Sequence, residues 1–189
     1  METDTDLLRR VHEPEMFDRF VRRHIDLVYG YVARRLGGAD AEEVTNDVFL
    51  TAYRRADRFR SDADSARPWL LGIAANLIRN RRKHEARHWR HLATTGIDLL
   101  DVAAPQRDLD GLEPRLAASL ARMRPQHREV LFLSAVAGLS VPEIAEALGA
   151  SEGTVKSWLH RARTRAAGDL TEVSVDIDEA ATGVDGGVA

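Results

Sequence analysis

Hydrogen-bond donors and positive charges are concentrated in residues 151–165. Val155, Leu159 and Ala162 recur there at helical spacing, so one side of a helix would pack inward while the opposite side presents donors. Donors on one helix face can contact base edges in the major groove and phosphates beside it. The segment therefore predicts a DNA-reading helix, and a solvated basic face on an ordinary helical hairpin is the alternative. Its candidate contact residues are Ser151, Glu152, Thr154, Lys156, Ser157, His160, Arg161, Arg163 and Arg165.

The residues immediately before this segment predict a second, shorter helix that would position it. Ser140 and Glu143 have the spacing of a capping box, and apolar residues from Ile144 onward follow at helical intervals. Gly149 suits a helix end that needs positive φ, and Ser151 can cap the next helix. Two short helices with a tight turn, the second rich in donors, are typical of a helix-turn-helix.

A second group of candidate nucleic-acid contacts lies between residues 59 and 83. Pro68 can begin a helix that is apolar as far as Ile78 and basic from Arg79 to His91, where six Lys or Arg accompany one Glu. Aromatic faces stack on unpaired bases and cations follow phosphates, so the combination suits a single strand. An aromatic on a helix beside Leu70 and Ile73 is more often a core residue than a stacking platform, which favours a core role for Trp69, and the basic run could be a solvated face.

One metal-binding pattern occurs in the same helix. Residues 84–88 fit H-E-x-x-H, which places two His on one side of a helix in zinc proteases. The helix around it is polar on almost every side, and no third ligand follows, whereas catalytic zinc needs both a third ligand and a closed site. The sequence therefore disfavours a zinc hydrolase and predicts no catalytic residue, metal or cofactor. Incidental metal binding by His84, His88 and His91 is the better interpretation.

Composition limits the class of protein. The chain has 189 residues, 44% of them hydrophobic, a net charge of −3 and no cysteine, which excludes disulfides and thiolate zinc sites. No run approaches the roughly 18 apolar residues of a membrane span. Acidic residues near the N-terminus are unlike a secretory signal. These features predict a cytoplasmic protein without membrane insertion.

Charge is unevenly distributed along the chain. Residues 156–165 hold four Lys or Arg and no acid, whereas residues 169–189 hold six acids and no base.

Periodicity along the chain predicts an all-α fold of two small helical domains joined by a flexible linker. We expect a flexible N-terminus at 1–12 and a helical domain at 13–93, which includes an amphipathic helix ending at Gly37 and a second helix begun by a capping box of Asp40 and Glu43. Residues 94–111 would be the linker, and 112–167 the domain with the helix-turn-helix. Residues 168–189 would be an acidic disordered tail.

These blocks, in this order, resemble the extracytoplasmic-function (ECF, group IV) sigma factors of the sigma-70 family. Residues 41–50, AEEVTNDVFL, resemble the family's polymerase-binding helix, and residues 67–76, RPWLLGIAAN, resemble its −10 element helix. Residues 120–131, LARMRPQHREVL, resemble its −35-binding domain together with the helix-turn-helix. Two positions depart from the family pattern, because Asn46 stands where Gln is usual and Asn80 where Asp is frequent.

The resemblance implies a sigma factor without catalysis of its own, nucleoid-associated when part of the holoenzyme. Its partners would be the β′ and β subunits of core RNA polymerase and promoter DNA, double-stranded at −35 and single-stranded at −10. The sequence does not decide whether an anti-sigma factor also binds this protein. The nine candidate contact residues of 151–165 named above would contact the −35 element, and Asn76 with the loop 59–65 would hold a flipped −10 base. The polymerase-binding residues would be Glu42, Glu43, Asn46, Asp47, Phe49 and Tyr53. The −10 contacts would be Phe59, Arg60, Ser61, Trp69, Asn76, Arg79, Asn80, Arg81, Arg82 and Lys83.

A stand-alone helix-turn-helix regulator is the competing interpretation. In such a protein residues 13–92 would form a sensing or dimerisation domain. The two hypotheses differ in their dependence on polymerase, because a regulator binds its site unaided and a sigma factor needs the core enzyme.

Overall fold

The computed structural model describes the backbone of residues 2–59, 65–94 and 114–182, and the side chains of 2–38, 40–59, 65–87 and 116–167. All regular secondary structure in these ranges is helical, which confirms the predicted fold class. The helices are α1 (Asp4–Arg9), α2 (Pro14–Leu36), α3 (Gly38–Arg54), a 3₁₀ turn (Ala56–Arg58), α4 (Arg67–Thr94), α5 (Pro114–Ala121), α6 (Pro125–Ala135), α7 (Val141–Leu148) and α8 (Glu152–Thr182).

Helices α2, α3 and α4 pack on one another and form the N-terminal domain. Pro14 occupies the first turn of α2, where its missing N–H has no intrahelical partner to lose, and Gly37 ends the helix with φ of 78°. Phe20, Val48 and Leu70, one from each helix, are completely buried. Apolar side chains at helical spacing thus fill the centre of the bundle, as the periodicity predicted.

The N-terminal segment is folded, whereas the sequence predicted a flexible stretch at 1–12. Thr3 and Asp6 form a capping box that begins α1, with Asp6 N–H donating to Thr3 Oγ1 at 3.1 Å. Leu7, Leu8 and Val11 are buried against the rest of the domain. Polar composition hid this helix, because only one narrow face of it is apolar and the helix is shorter than the window over which periodicity becomes visible.

The start of α3 also differs from the prediction. The helix begins at Gly38, so Asp40 lies within its first turn and is not a cap. Asp40 and Glu43 instead accept hydrogen bonds from Arg81 of α4, at 2.8 and 2.9 Å respectively. Two acids that could have closed a local capping box therefore connect two helices.

Helices α7 and α8 form the predicted helix-turn-helix. Ser140 N–H and Oγ both donate to Glu143 Oε2, at 2.8 and 2.7 Å, and close the capping box of α7. Gly149 ends α7 in the left-handed conformation with φ of 62°, which glycine adopts without steric cost. Val155 and Leu159 are buried, as their spacing predicted.

Helix α8 continues further than the predicted domain boundary. It extends to Thr182, so residues 168–182 are helical where composition predicted a disordered tail. Residues 183–189 lie outside the described residues, as does the predicted linker apart from Thr94.

The two domains are in direct contact and share an apolar core. Helix α7 packs on α4, where a Cβ added to Gly72 would lie 2.4 Å from the Ala147 carbonyl oxygen, so only glycine allows this approach. One cluster of buried side chains continues from Leu70 to Ile144 and Val155. The C-terminal domain has a smaller cluster of its own, at Leu120, Met123 and Ala162. The two-domain arrangement is as predicted, but the domains are docked.

Candidate nucleic-acid and polymerase interfaces

The outer face of α8 presents the predicted donors to solvent. Ser151 precedes the helix, and its Oγ accepts the Thr154 N–H at 3.2 Å. The Thr154 residue itself is half-buried. The opposite face, with Val155 and Leu159, packs inward. The predicted −35 contacts that are exposed are Ser151, Glu152, Lys156, Ser157, His160, Arg161, Arg163 and Arg165.

Local interactions hold few of these side chains. The Lys156 side chain is 65% exposed, and its Nζ lies 3.5 Å from Glu152 Oε2 one turn earlier. Arg163 Nη2 lies 3.5 Å from Ser134 Oγ of α6. Both distances describe weak surface interactions that a phosphate or base edge can replace.

The first half of α4 carries the aromatic part of the predicted −10 surface. Trp69 is half-buried and packs on Phe59, with ring centroids 5.3 Å apart and planes inclined at 54°. Asn76 is exposed, and its Oδ1 accepts a hydrogen bond from Arg79 Nη2. Trp69 thus contributes to packing while keeping part of its ring accessible. Arg60 and Ser61 lie outside the described residues.

The basic residues of α4 divide into two groups. The cations Arg79 and Lys83 are exposed, as a DNA surface requires, and so is the neutral amide of Asn80 between them. Arg81 is half-buried and bonds Asp40 and Glu43 of α3, with Glu85 Oε1 at 3.5 Å.

Arg82 belongs to the second group. It is half-buried, and its Nη2 donates to the Arg35 carbonyl at 2.9 Å. Arg81 and Arg82, predicted as DNA contacts, are therefore placed where they connect α4 to α3 and α2.

The predicted polymerase-binding residues divide in the same way. Four of them, Glu42, Glu43, Asn46 and Asp47, are exposed on α3. Leu50, which the sequence analysis did not single out, is 45% exposed on the same helix. An exposed leucine beside a polar face can serve as an apolar anchor in an interface.

Two of the predicted polymerase-binding residues face the interior. Phe49 is buried in the core. Tyr53 is half-buried, with its ring 5.2 Å from Phe17 and its hydroxyl 3.2 Å from His12 Nδ1. Phe49 thus belongs to the packing that supports the face, whereas Tyr53 contributes to that packing while part of its side chain stays accessible.

A polar cluster that the sequence did not reveal joins the two domains. Glu129 of α6 accepts both terminal nitrogens of Arg35, at 3.1 and 3.0 Å, and also the Tyr31 hydroxyl. Arg35 is 2% exposed and stacks over the Phe132 ring at 4.5 Å. Burial, and then the Glu129 charge, raise the pKa of Tyr31 well above its ordinary value, so the hydroxyl remains a donor. No local pattern signals this cluster, because its members are nearly 100 residues apart.

A second unpredicted cluster lies at the N-terminus. Asp4 is almost fully buried, and its carboxylate accepts Arg23 Nη1 at 2.9 Å and the Ala66 N–H at 2.8 Å, with His24 Nε2 at 3.1 Å. Burial alone would raise the pKa of Asp4, but His24, the Ala66 N–H and Arg23 together lower it to about 2. The carboxylate is therefore ionised at every physiological pH.

The described residues offer no metal centre. His84 is exposed, and Glu85 lies beside Arg81. No group of three or more His, Asp or Glu side chains in the described ranges could hold a metal ion. In the same ranges, no helix has the length and apolar character needed to cross a membrane.

Two family models match the two domains. The model for sigma-70 region 2 matches residues 20–88, and the model for sigma-70 region 4 matches residues 114–165. The first covers α2, α3 and most of α4, and the second covers the helix-turn-helix. Both therefore contain the surfaces just described.

Characterised relatives agree with these matches. The chain is 34% identical to the ECF RNA polymerase sigma factor BldN of Streptomyces coelicolor over 157 residues, which are 79% of this chain and 58% of that relative's length. It is 31% identical to the RNA polymerase sigma factor CarQ of Myxococcus xanthus, over 86% of this chain and 94% of that one.

Solved structures share the fold. The structure of CnrH in complex with the cytosolic domain of CnrY matches with a TM-score of 0.63 and 24% identity, over 89% of this chain and 97% of that one. The sigma factor RpoE of Bartonella quintana, in complex with the anti-sigma factor NepR, matches with a TM-score of 0.61 and 20% identity, over 82% and 96%.

Proposed function

The chain belongs to the ECF sigma factors of the sigma-70 family, and we propose that it directs promoter-specific initiation by core RNA polymerase. It would bind the β′ and β subunits, read the −35 element as duplex and hold the −10 element as an opened strand. On this proposal the chain would perform no chemical step itself. It would act in the cytoplasm and, within the holoenzyme, at the nucleoid.

The observation that carries this proposal is the outer face of α8. Lys156, His160 and Arg161 are exposed while Val155 and Leu159 of the same helix are buried, so the donors project together from a supported helix. A helix presented in this way fits the major groove of duplex DNA. Polar side chains can specify bases there, and the arginines beside them can bind phosphates.

The −10 assignment is supported by a different kind of surface. Exposed amides and cations at Asn76, Arg79 and Lys83 follow the partly accessible Trp69 along α4. Aromatic groups stack on bases of any sequence, and amides both donate to and accept from a base edge. This combination suits an unpaired strand better than a duplex.

The polymerase contact is supported by the exposed face of α3. Glu42, Asn46 and Asp47 give it acidic and amide groups, and Leu50 adds an apolar anchor. Complementary charge on a partner would steer the encounter, and Leu50 would add buried apolar area. A partner with a basic helical surface matches this chemistry.

Run-off transcription tests the proposal. The full chain is added to core RNA polymerase with genomic template fragments, and start sites are mapped. We expect initiation at a defined set of promoters only when both components are present. Binding of the chain to specific duplex sites without polymerase, with no promoter-specific initiation, would favour a stand-alone regulator.

A further inference from the structure

The beginning of α4 is held by a carboxylate from the opposite end of the domain. Asp4 belongs to α1, yet its Oδ2 accepts the Ala66 N–H at 2.8 Å across 62 positions of sequence. Its Oδ1 accepts Arg23 Nη1 of α2 at 2.9 Å. Asp4 therefore joins α1 and α2 to the residue that precedes α4.

Ala66 is the residue from which α4 begins. The Leu70 N–H donates to the Ala66 carbonyl at 2.9 Å, and Ala66 itself is completely buried. The first N–H groups of a helix lack intrahelical partners, and a negative charge near them interacts favourably with the helix dipole. Asp4 supplies both the acceptor and the charge, and it fixes the position of this end of α4.

The first turn of α4 carries Trp69, whose ring packs on Phe59. Helix α1 also contacts the segment that carries Phe59, because α1 packs on the 3₁₀ turn at 56–58. Leu8 and Phe59 line the two sides of one cleft between these elements. Helix α1 therefore touches both segments that bring the two aromatic rings together.

We propose that Asp4 is a positioning residue for opening of the −10 element. By fixing the first turn of α4 against α1 and α2, it holds Trp69 and Phe59 in the arrangement that receives unpaired bases. This proposal rests on the proposed function, since it concerns how the same surface is kept in place. Extruding a base costs free energy, and a surface that is already ordered loses less of its binding energy to rearrangement.

Asp4 does not act by touching DNA. It is 5% exposed and its charge is balanced by Arg23. Its substitution should therefore change strand opening without changing the polarity of the DNA surface. Core binding through α3 and duplex binding through α8 involve other helices and should be retained.

The test compares Asp4→Ala with Asp6→Ala in the full chain bound to core polymerase. Asp6 is an aspartate of the same helix, and its carboxylate closes the α1 capping box with Thr3, so Asp6→Ala loosens α1 without removing the bond to Ala66. Permanganate reactivity is measured on a matched promoter and on one whose −10 region is already mismatched. Core affinity, −35 duplex affinity and thermal unfolding are measured for each variant.

Asp4→Ala removes the contacts to Arg23 and His24 as well as the bond to Ala66, but only the bond to Ala66 directly fixes the start of α4. We therefore expect it to reduce opening of the matched promoter by about tenfold, the size of effect that follows loss of one charge-assisted hydrogen bond. On the mismatched promoter the reduction should shrink to about twofold or less, because unpairing no longer has to be achieved. Asp6→Ala should open both promoters normally. Asp4→Asn keeps an oxygen that can accept the Ala66 N–H, so it should recover part of the loss.

Several results would overturn the proposal. Equal losses on the two templates, or an equal loss in Asp6→Ala, would show that Asp4 acts only through general stability of the domain. If Asp4→Ala does not fold, Asp4→Asn carries the same comparison and must show the same dependence on template. Failure of the unsubstituted chain to open any promoter would contradict the proposed function itself, and the role of Asp4 with it.

Discussion

Helices α4 and α8 both carry basic side chains, but α4 is apolar as far as Ile78 and basic beyond it, whereas residues 152–165 of α8 place apolar and basic side chains on opposite faces. The surroundings of the two helices also differ. Helix α4 packs on α2, α3 and α7, whereas α8 packs on α5, α6 and α7 and leaves its outer side to solvent. The cations of the two helices are used accordingly. Arg81 and Arg82 of α4 bond neighbouring helices, while Arg161 and Arg165 of α8 remain exposed.

The difference shows what a basic run can and cannot indicate. A cation on a helix surrounded by other helices can connect it to their acids and carbonyls. A cation on a peripheral helix has no such partner and is available for a ligand. Counting charges alone therefore overestimates the number of α4 residues available to nucleic acid. The burial of each side chain shows which cations remain available.

The largest effect in this comparison is expected from one substitution made in each helix. Gly72→Ala should cost about 3 kcal/mol of the free energy of unfolding, at the upper end for overpacking, because the new Cβ would meet the Ala147 carbonyl at 2.4 Å. Gly153→Ala meets only Ser151 Oγ, at 4.0 Å, and should be neutral or stabilise by up to about 1 kcal/mol. Urea unfolding of both variants measures the difference.

Gly30→Ala serves as a further control for Gly72→Ala, because nothing lies within 4 Å of the added Cβ. Small-angle scattering should show a larger radius of gyration for Gly72→Ala than for either control. Equal stability of all three variants would contradict the close contact between α4 and α7.

A smaller effect is expected where exposed lysines of the two helices meet DNA. Lys156→Ala in α8 should weaken binding of the holoenzyme to its cognate −35 sequence by about 1–3 kcal/mol, if Lys156 reads a base edge. Lys83→Ala in α4 should weaken cognate and scrambled −10 sequences alike, as loss of a phosphate contact does. Titrations at several salt concentrations distinguish the two.

The lysine comparison fails if both variants behave in the same way. A uniform loss in Lys156→Ala, together with a lower salt dependence, would assign Lys156 to a phosphate. Loss confined to the cognate sequence in Lys83→Ala would place base readout on α4.

The smallest effect concerns the arginines. Arg81→Ala should lower the free energy of unfolding by about 1 kcal/mol, because three acids lose a partially screened partner. Arg161→Ala should change stability by less than about 0.5 kcal/mol, as exposed substitutions usually do, while it weakens DNA binding. Equal stability of the two variants, measured by urea unfolding, would mean that the contacts of Arg81 with α3 do not stabilise the fold.

Sequence reasoning succeeded where the determining interactions are local. The capping box of Ser140 and Glu143, the glycine end at Gly149 and the buried Val155 all depend on residues a few positions apart. The same reasoning predicted the exposed face of α8, because one helical period assigns both the buried and the exposed side.

Sequence reasoning failed where a side chain finds its partner in a segment distant in sequence. Asp40 and Glu43 have the spacing of a capping box, but Arg81 is a cationic partner that a single helix does not show. Phe49 fits a binding motif by position, yet its neighbours bury it. The bond from Ala66 to Asp4 spans 62 residues, and nothing in the composition of residues 1–12 indicates it.

The docking of the two domains limits the length of DNA that the chain can contact at one time. A compact chain of this length has a radius of gyration of about 16 Å, and its longest helix, α8 with 31 residues, is about 46 Å long. Elements centred about 25 base pairs apart span about 85 Å of B-form DNA, at about 3.4 Å per base pair. If α4 and α8 hold the −10 and −35 elements as proposed, they cannot reach both elements of a straight promoter while Gly72 lies against Ala147 and Arg35 bonds Glu129.

On the proposed function, engagement of both elements would therefore require the two domains to separate. The bidentate pair of Arg35 and Glu129 would leave the interior and regain water, so much of the cost of losing it is recovered by hydration. The apolar contact of α7 on α4 has no such compensation in water. A partner that holds the domains apart must cover or replace that apolar surface, and for this reason free chain and DNA-bound chain should differ in extent as well as in contacts.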